Sequence, residues 1–208
     1  MPEQGTSTTR SAYIVTSHPD GEALSVGIAE RIADSFREGG GSARITNLPA
    51  EDFAPAYDTQ DITLYRDFIE THTIGAPGDA VGQQEILDEA TDLVFVFPVY
   101  WWSMPAQLKG WVDRVFTGGW AWGAKRLGRD RTSVSHLTAH VVAITGAGEE
   151  TFSEAGYDSA MRVQIEDGIF RYCGFGSTTW SWIWDPARAE AAEIDAAIAE
   201  AIDRIDRG

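Results

Sequence analysis

Three large aromatic side chains, Tyr100, Trp101 and Trp102, stand side by side directly after Pro98-Val99. Core aromatics usually sit inside a strand or a helix, and three in a row in a loop beyond a proline cannot all point inward. Such a loop suits the flat face of an aromatic ligand, offering stacking surface and backbone N–H donors together. The competing reading is an exposed contact between copies of the chain. Two further loops carry groups that could do chemistry. Ser17-His18-Pro19-Asp20-Gly21-Glu22-Ala23-Leu24-Ser25 leads into an amphipathic run. Free N–H groups at a helix start favour an anion, typically phosphate, and His18 and Ser25 can add side-chain hydrogen bonds. The plain alternative there is a turn followed by an N-cap. Thr145-Gly146-Ala147-Gly148 closes another apolar run.

The elements around these loops follow from periodicity. Ala12–Thr16, Ala43–Leu48, Leu93–Phe97, Ala139–Ile144 and Thr178–Trp184 read as strands. Leu93–Phe97 (LVFVF) is continuously apolar, as in a strand covered by helices on both faces. Between them, Leu24, Ile28, Ile32 and Phe36 make one helix face, stopped by Gly39-Gly40-Gly41. Asp58–Thr73 and Gln83–Ala90 read as helices separated by a Gly/Pro segment, Gly75 to Gly82. Met104–Val115, Tyr157–Tyr172 and the stripe Ala191, Ile194, Ile198, Ile202, Ile205 complete the set. Alternation of this kind predicts an α/β fold with a mostly parallel sheet and helices on both faces. Ligands then bind at the carboxyl ends of the strands, where all three loops fall. Residues 1–10 are expected to be a disordered tail, and 11–208 a single domain.

Other chemistries are absent from the sequence. Gly118–Lys125 (GGWAWGAK) lacks the Gly-Lys pair of a phosphate-binding P-loop, and Thr151 stands where a dinucleotide fingerprint starting at Gly146 needs its third glycine. His136 and His140 are four apart, but His140 begins a strand pattern, so no metal site is expected. The single cysteine, Cys173, allows no internal disulfide. With 16 basic and 32 acidic residues the net charge is −16, which opposes nucleic acid and anionic membranes as partners. The first ten residues lack the apolar core of a signal peptide, and the most apolar run, Leu93–Trp102, is too short to span a bilayer. A cytoplasmic protein without membrane insertion is expected.

The run from Leu93 to Phe116, LVFVFPVYWWSMPAQLKGWVDRVF, resembles the flavodoxin-like NAD(P)H:quinone oxidoreductases. So do the upstream His18-Pro19 loop, Gln84, and Gly168–Phe175 (GIFRYCGF), and the resemblance spans about Ala12 to Pro186. It implies a flavodoxin-like three-layer sandwich with a five-stranded parallel sheet of order 2-1-3-4-5. It implies an enzyme that transfers hydride from NAD(P)H through a bound flavin, FAD with FMN as the alternative, to quinones or similar acceptors. His18, Leu24 and Ser25 match the residues beside the flavin phosphates, Gln84 a glutamine bordering the flavin, and Pro98, Val99, Tyr100, Trp101 and Trp102 the loop along the ring edge. Thr145, Gly146, Ala147 and Gly148 match the loop on the ring's other side. Trp120 and Trp122 match walls of the substrate cavity, partly across a homodimer interface, so an active site near that interface is implied.

Departures from the pattern are visible. Ala23 stands where a serine is usual, Glu22 places a carboxylate beside the expected phosphate, and the family's Tyr/His pair falls on Phe152 and Asp158. Ser25 and Ser17 are the candidates to compensate for Ala23. Tyr157, one position off, is the candidate proton donor, and Phe152 a wall of the substrate pocket. A non-catalytic flavodoxin-like module and an azo- or nitroreductase on the same scaffold are the alternatives.

Overall fold

The computed structural model describes residues 9–51 and 53–208. Most of the expected tail, positions 1–8, lies outside the described residues. Five strands form one parallel sheet: β1 (Ser11–Thr16), β2 (Ser42–Asn47), β3 (Asp92–Pro98), β4 (Thr138–Ile144) and β5 (Ser177–Ile183), in the order β2-β1-β3-β4-β5. The expected α/β fold and strand order are both found. Three central strands are buried on both faces, whereas β2 at the edge alternates exposed with covered residues.

Side-chain alternation divides the core in two. Ala12, Ile14, Val94, Val96 and Val142 face α1 (Leu24–Glu38) and α7 (Ala191–Arg207), packing against Ile28, Ile32, Ile198 and Ile205. Tyr13, Val15, Leu93, Phe95 and Phe97 face the other way, towards α3 (Gly78–Glu89) and α4 (Ala106–Val115), where they meet Leu87, Leu108 and Trp111. Phe95 and Trp111 meet edge to face at 5.7 Å, a preferred aromatic arrangement. Outside α4 lies α2 (Thr59–Thr71), tied inward by the buried Arg114. Its guanidinium reaches Asp61 at 3.1 Å and Asp79 at 2.5 Å.

Three details differ from the sequence expectation. The Gly/Pro segment is shorter than expected, because α3 starts at Gly78 rather than at Gln83. An additional helix, α5 (Glu149–Ala155), precedes α6 (Tyr157–Arg162). The expected helix over Tyr157–Tyr172 is α6 continued by a nine-residue π-helix, Val163–Arg171.

A buried polar knot pins the opposite ends of the chain to the start of β3. Asp92 accepts hydrogen bonds from Arg10 and Thr91, each at 2.5 Å, and lies 2.9 Å from His140 Nε2. Arg10 also donates to the carbonyl of Ile205 in α7. Burial alone would raise the Asp92 carboxyl, but hydrogen bonds from His140, Arg10 and Thr91 outweigh it and bring its pKa down to about 2. A carboxyl depressed on folding stabilises the fold above its unfolded value near 4 and loses that contribution as pH falls towards 2. Asp92→Asn is therefore expected to cost about 2 kcal/mol at neutral pH. Urea titrations should show that deficit shrinking between about pH 4 and pH 2.

Candidate functional site

Flush register places the functional loops at one edge. Pro98 pairs with Ile144 and Ile144 with Ile183, while Thr16 sits beside Val96. The segments after Thr16, Pro98 and Ile144 therefore leave the sheet together, on both sides of the point where strand order reverses between β1 and β3.

The loop after β3 is a tight hairpin. Tyr100 and Ser103 exchange both backbone hydrogen bonds, at 3.0 and 3.2 Å, leaving Trp101 and Trp102 as the two central residues. Both have positive φ, 47° and 59°. Two-residue hairpins with both central φ values positive normally use Asn-Gly or Asp-Gly, because a Cβ in this region costs about 1–2 kcal/mol. Trp101 is 92% exposed and Trp102 is 39% exposed, so burial recovers little of that strain at Trp101. Strain of this kind persists where surrounding structure imposes it and marks functional sites. Two contacts hold this turn. Ser103 Oγ donates to Gln164 Oε1 of the π-helix at 2.5 Å, and the Trp102 ring stacks on Tyr157 at 3.8 Å and 11°.

The loop after β4 stands opposite. Thr145 is buried, and its hydroxyl donates to the Ala147 carbonyl at 2.7 Å, which curls Gly146-Ala147-Gly148 into the start of α5. Val99, Trp101, Trp102, Gly146, Ala147 and Phe152 enclose a hollow of about 190 Å³. Phe152 is its buried floor, touching Trp102 at 5.4 Å and Trp184 at 5.3 Å. Trp184 and Trp182 stack behind it at 4.9 Å and 7°.

The loop after β1 leaves hydrogen-bonding groups open. Asn47, at the end of β2, accepts from His18 N at 3.1 Å and donates to His18 O at 2.9 Å, a side chain continuing the strand ladder. His18 Nδ1 lies 3.1 Å from the Asp20 N–H and 3.2 Å from the Asp20 carbonyl, and Nε2 has no hydrogen-bond partner among the described residues. Helix α1 begins after Ala23, which supplies no side-chain cap. Ser25 in its first turn is buried, yet its hydroxyl has no partner among the described residues, and neither does the hydroxyl of Thr16. Buried hydroxyls without partners are uncommon and call for a ligand or solvent. Leu24 is exposed at the helix start, and Glu22 is exposed beside it.

The structure thus brings together His18, Leu24 and Ser25 on one loop, and Val99, Trp101, Trp102, Gly146, Ala147, Phe152 and Tyr157 around the hollow. Pro98, Tyr100, Thr145 and Gly148 frame those loops. It does not bring Gln84, Trp120 or Trp122 there within one chain. Gln84 Nε2 donates to Val115 O at 2.7 Å and to Thr117 Oγ1 at 3.1 Å, at the far end of α4. That helix has ten residues and is roughly 15 Å long. Trp120 is buried against Asp88, and Trp122 lines a second cavity, of about 260 Å³, with Tyr65, Thr117 and Ile169. Cys173 is buried, and burial pushes its thiol up to about 12. No group of three metal-ligating side chains occurs among the described residues. Sequence reading missed Asn47 and Gln164. Only the position of Asn47 at a strand's carboxyl end hinted at a role.

A family model described as flavodoxin-like fold matches residues 10–207, so the chain belongs to that family. It is 28% identical over 180 residues to NAD(P)H dehydrogenase [quinone] 1 of Cavia porcellus, covering 80% of this chain and 65% of that protein's length. An NAD(P)H:quinone oxidoreductase from Methanothermobacter marburgensis superposes with a TM-score of 0.83 at 22% identity, over 94% of this chain and 95% of that one. An FMN-dependent NADH-azoreductase from Bacillus anthracis, solved in complex with FMN, gives 0.71 at 15% identity, over 95% and 99%. These two structural likenesses establish the shared fold.

The strained turn makes a prediction. Trp101→Gly removes an exposed side chain from a left-handed position, so its unfolding free energy should stay the same or rise by about 1 kcal/mol. Ligand affinity at the hollow should fall. A thermal melt paired with a flavin titration checks both.

Proposed function

We propose that the chain is a flavin-dependent oxidoreductase that passes reducing equivalents from NAD(P)H to quinones or similar planar acceptors. The observation that carries this reading is one sheet edge with two complementary parts. One is an uncapped helix start with the orphaned, buried Ser25 hydroxyl. The other is an aromatic hollow walled by Trp101 and Trp102. The first suits phosphate and the second a flat ring system, and a flavin nucleotide has both. A bound flavin would supply the redox chemistry, accepting hydride from NAD(P)H and returning two electrons to the acceptor. FAD is the favoured form, with FMN the alternative.

The chain's own residues have distinct tasks in this reading. Ser25 Oγ, His18 Nε2 and the free N–H groups of Leu24 and Ser25 donate to phosphate oxygens. Val99 and the Gly146-Ala147 segment present backbone donors to the ring's polar edge. Trp101, Trp102 and Phe152 exclude water, and the Tyr157 hydroxyl delivers a proton to the acceptor oxygen. A homodimer completes the site, with Trp122 and Trp120 contributed near the interface. Exposed Tyr57, Tyr65 and Ile74 near Trp122's cavity support that surface. No helix among the described residues is long and apolar enough to cross a membrane. A cytoplasmic protein that binds no nucleic acid fits the net charge of −16.

Mass spectrometry of the cofactor released from purified protein tests the reading directly. FAD or FMN is expected, and protein that stays colourless after incubation with both would overturn it. NADPH consumption with menadione well above that of free flavin separates an enzyme from a non-catalytic module. An azoreductase on the same scaffold is the second reading, favoured by the fold shared with the Bacillus anthracis enzyme. Comparing menadione with an azo dye as acceptor separates the two. Ser25→Ala should weaken flavin binding about tenfold, the loss expected for one hydrogen bond to a charged group. Its fold stability should not fall, because the hydroxyl has no protein partner to lose. Light scattering should give about twice the 22.7 kDa chain mass.

A further inference from the structure

The segment joining α4 to β4 has the wrong charge for its surroundings. Lys125, Arg126, Arg129 and Arg131 are four of the chain's 16 basic residues, within seven positions of a protein that carries 32 acids. All four are exposed. Of the other twelve cations, ten make ion pairs, from Arg10 with Asp92 to Arg207 with Asp203. Among the described residues, none of these four does. With acids twice as numerous as bases, four adjacent unpaired cations are not the expectation of a merely solvated surface.

The backbone holds them in place. Lys125 and Arg126 lie in a 3₁₀ turn, Ala124–Leu127, bounded by Gly123 and Gly128, both left-handed at φ 77° and 67°. Arg129 N donates to Ala124 O at 3.1 Å, and Ser133 N donates to Trp120 O at 2.9 Å, fastening the segment to the core. Beside it is a cavity of about 690 Å³, within the usual range of small-ligand sites. Lys125, Arg131, Thr132, Ser135 and Tyr172 line it; the Thr132 and Ser135 hydroxyls donate to the carbonyls of Cys173 and Thr132, and Tyr172 is 68% exposed. Asp130 is the one acid in that wall and makes no ion pair with either cation. This cavity is at the edge where strands begin: Gly176 N bonds Leu137 O just ahead of β5 and β4. Seven-residue β4 separates it from the aromatic hollow by roughly 20 Å.

We propose that this cavity is a second ligand site, which takes a small phosphate-bearing molecule. Lys125 and Arg131 bind the phosphate, Arg126 and Arg129 raise the local potential, and Tyr172 offers a face for a base. Long nucleic acid is a poor occupant, because it would extend past the patch onto acidic surface. A small anion meets the patch alone, since charges more than about 8 Å away are screened at physiological salt. The site stands independently of the flavin reading.

Isothermal titration calorimetry of the full chain with inorganic pyrophosphate and with 2′,5′-ADP tests it. Both are expected to bind, and the double variant Lys125→Gln/Arg131→Gln to raise Kd about tenfold or more. Arg66→Gln, which removes an exposed, unpaired charge elsewhere, should leave Kd unchanged. No binding of either probe at low salt would overturn the site, as would an equal loss in Arg66→Gln. Tighter binding of 2′,5′-ADP that Tyr172→Ala abolishes supports the site as a nucleotide site. Equal binding of the two probes supports it as a phosphate site alone. Circular dichroism confirms that these exposed substitutions keep the fold.

Discussion

The flush parallel register of β1, β3, β4 and β5 is the constraint on which everything else rests. A strand buried on both faces tolerates no slip, because a shift of one residue would turn every side chain to the opposite face. Leu93 to Phe97 are all apolar, so side-chain polarity does not choose their register. It is set by size and by ends: Phe95 must meet Trp111, and Asp92 must meet Arg10 and His140. Once those contacts lock, β3, β4 and β5 end level and β1 ends two residues short of β3, so three loops distant in sequence emerge at one edge.

What was legible in the sequence follows from the same physics. Short β-rich or apolar runs announced β1, β3, β4 and β5 within one position, the weaker Ala43–Leu48 pattern announced β2, and apolar spacing at helical intervals announced α1, α4 and α7. The helix α5 was not legible, because it is seven residues long, opens with Glu149-Glu150 and buries only Phe152. The π-helix was read as ordinary helix. Its residues are helix-compatible, and the wider winding leaves no local mark over nine positions. The tryptophan turn was read from sequence as suited to a planar ligand, but its left-handed backbone was not foreseen. Turn chemistry predicts Asn and Gly there, and two tryptophans hide it. Contacts such as Asn47 to His18, or Gln164 to Ser103, join residues 29 and 61 positions apart, and no local pattern encodes them.

The two ends of the sheet divide the labour. At the start of β3, Arg10, Asp92 and His140 form a closed knot that anchors the chain. At the strand ends, polar groups are left open, as with the hydroxyls of Ser25 and Thr16. Unmet hydrogen-bonding capacity is costly in a folded protein, so where it collects beside strained backbone it marks a surface shaped for something other than the chain itself.

Cys173 carries a consequence of its own. Peroxides and alkylating reagents attack thiolates that they can reach. The only sulfhydryl in the chain is buried and stays protonated throughout the physiological range. A molecule built this way keeps its one thiol from reacting with stray oxidants. Disulfide formation and thiol oxidation at this position would first require the fold to open around Cys173.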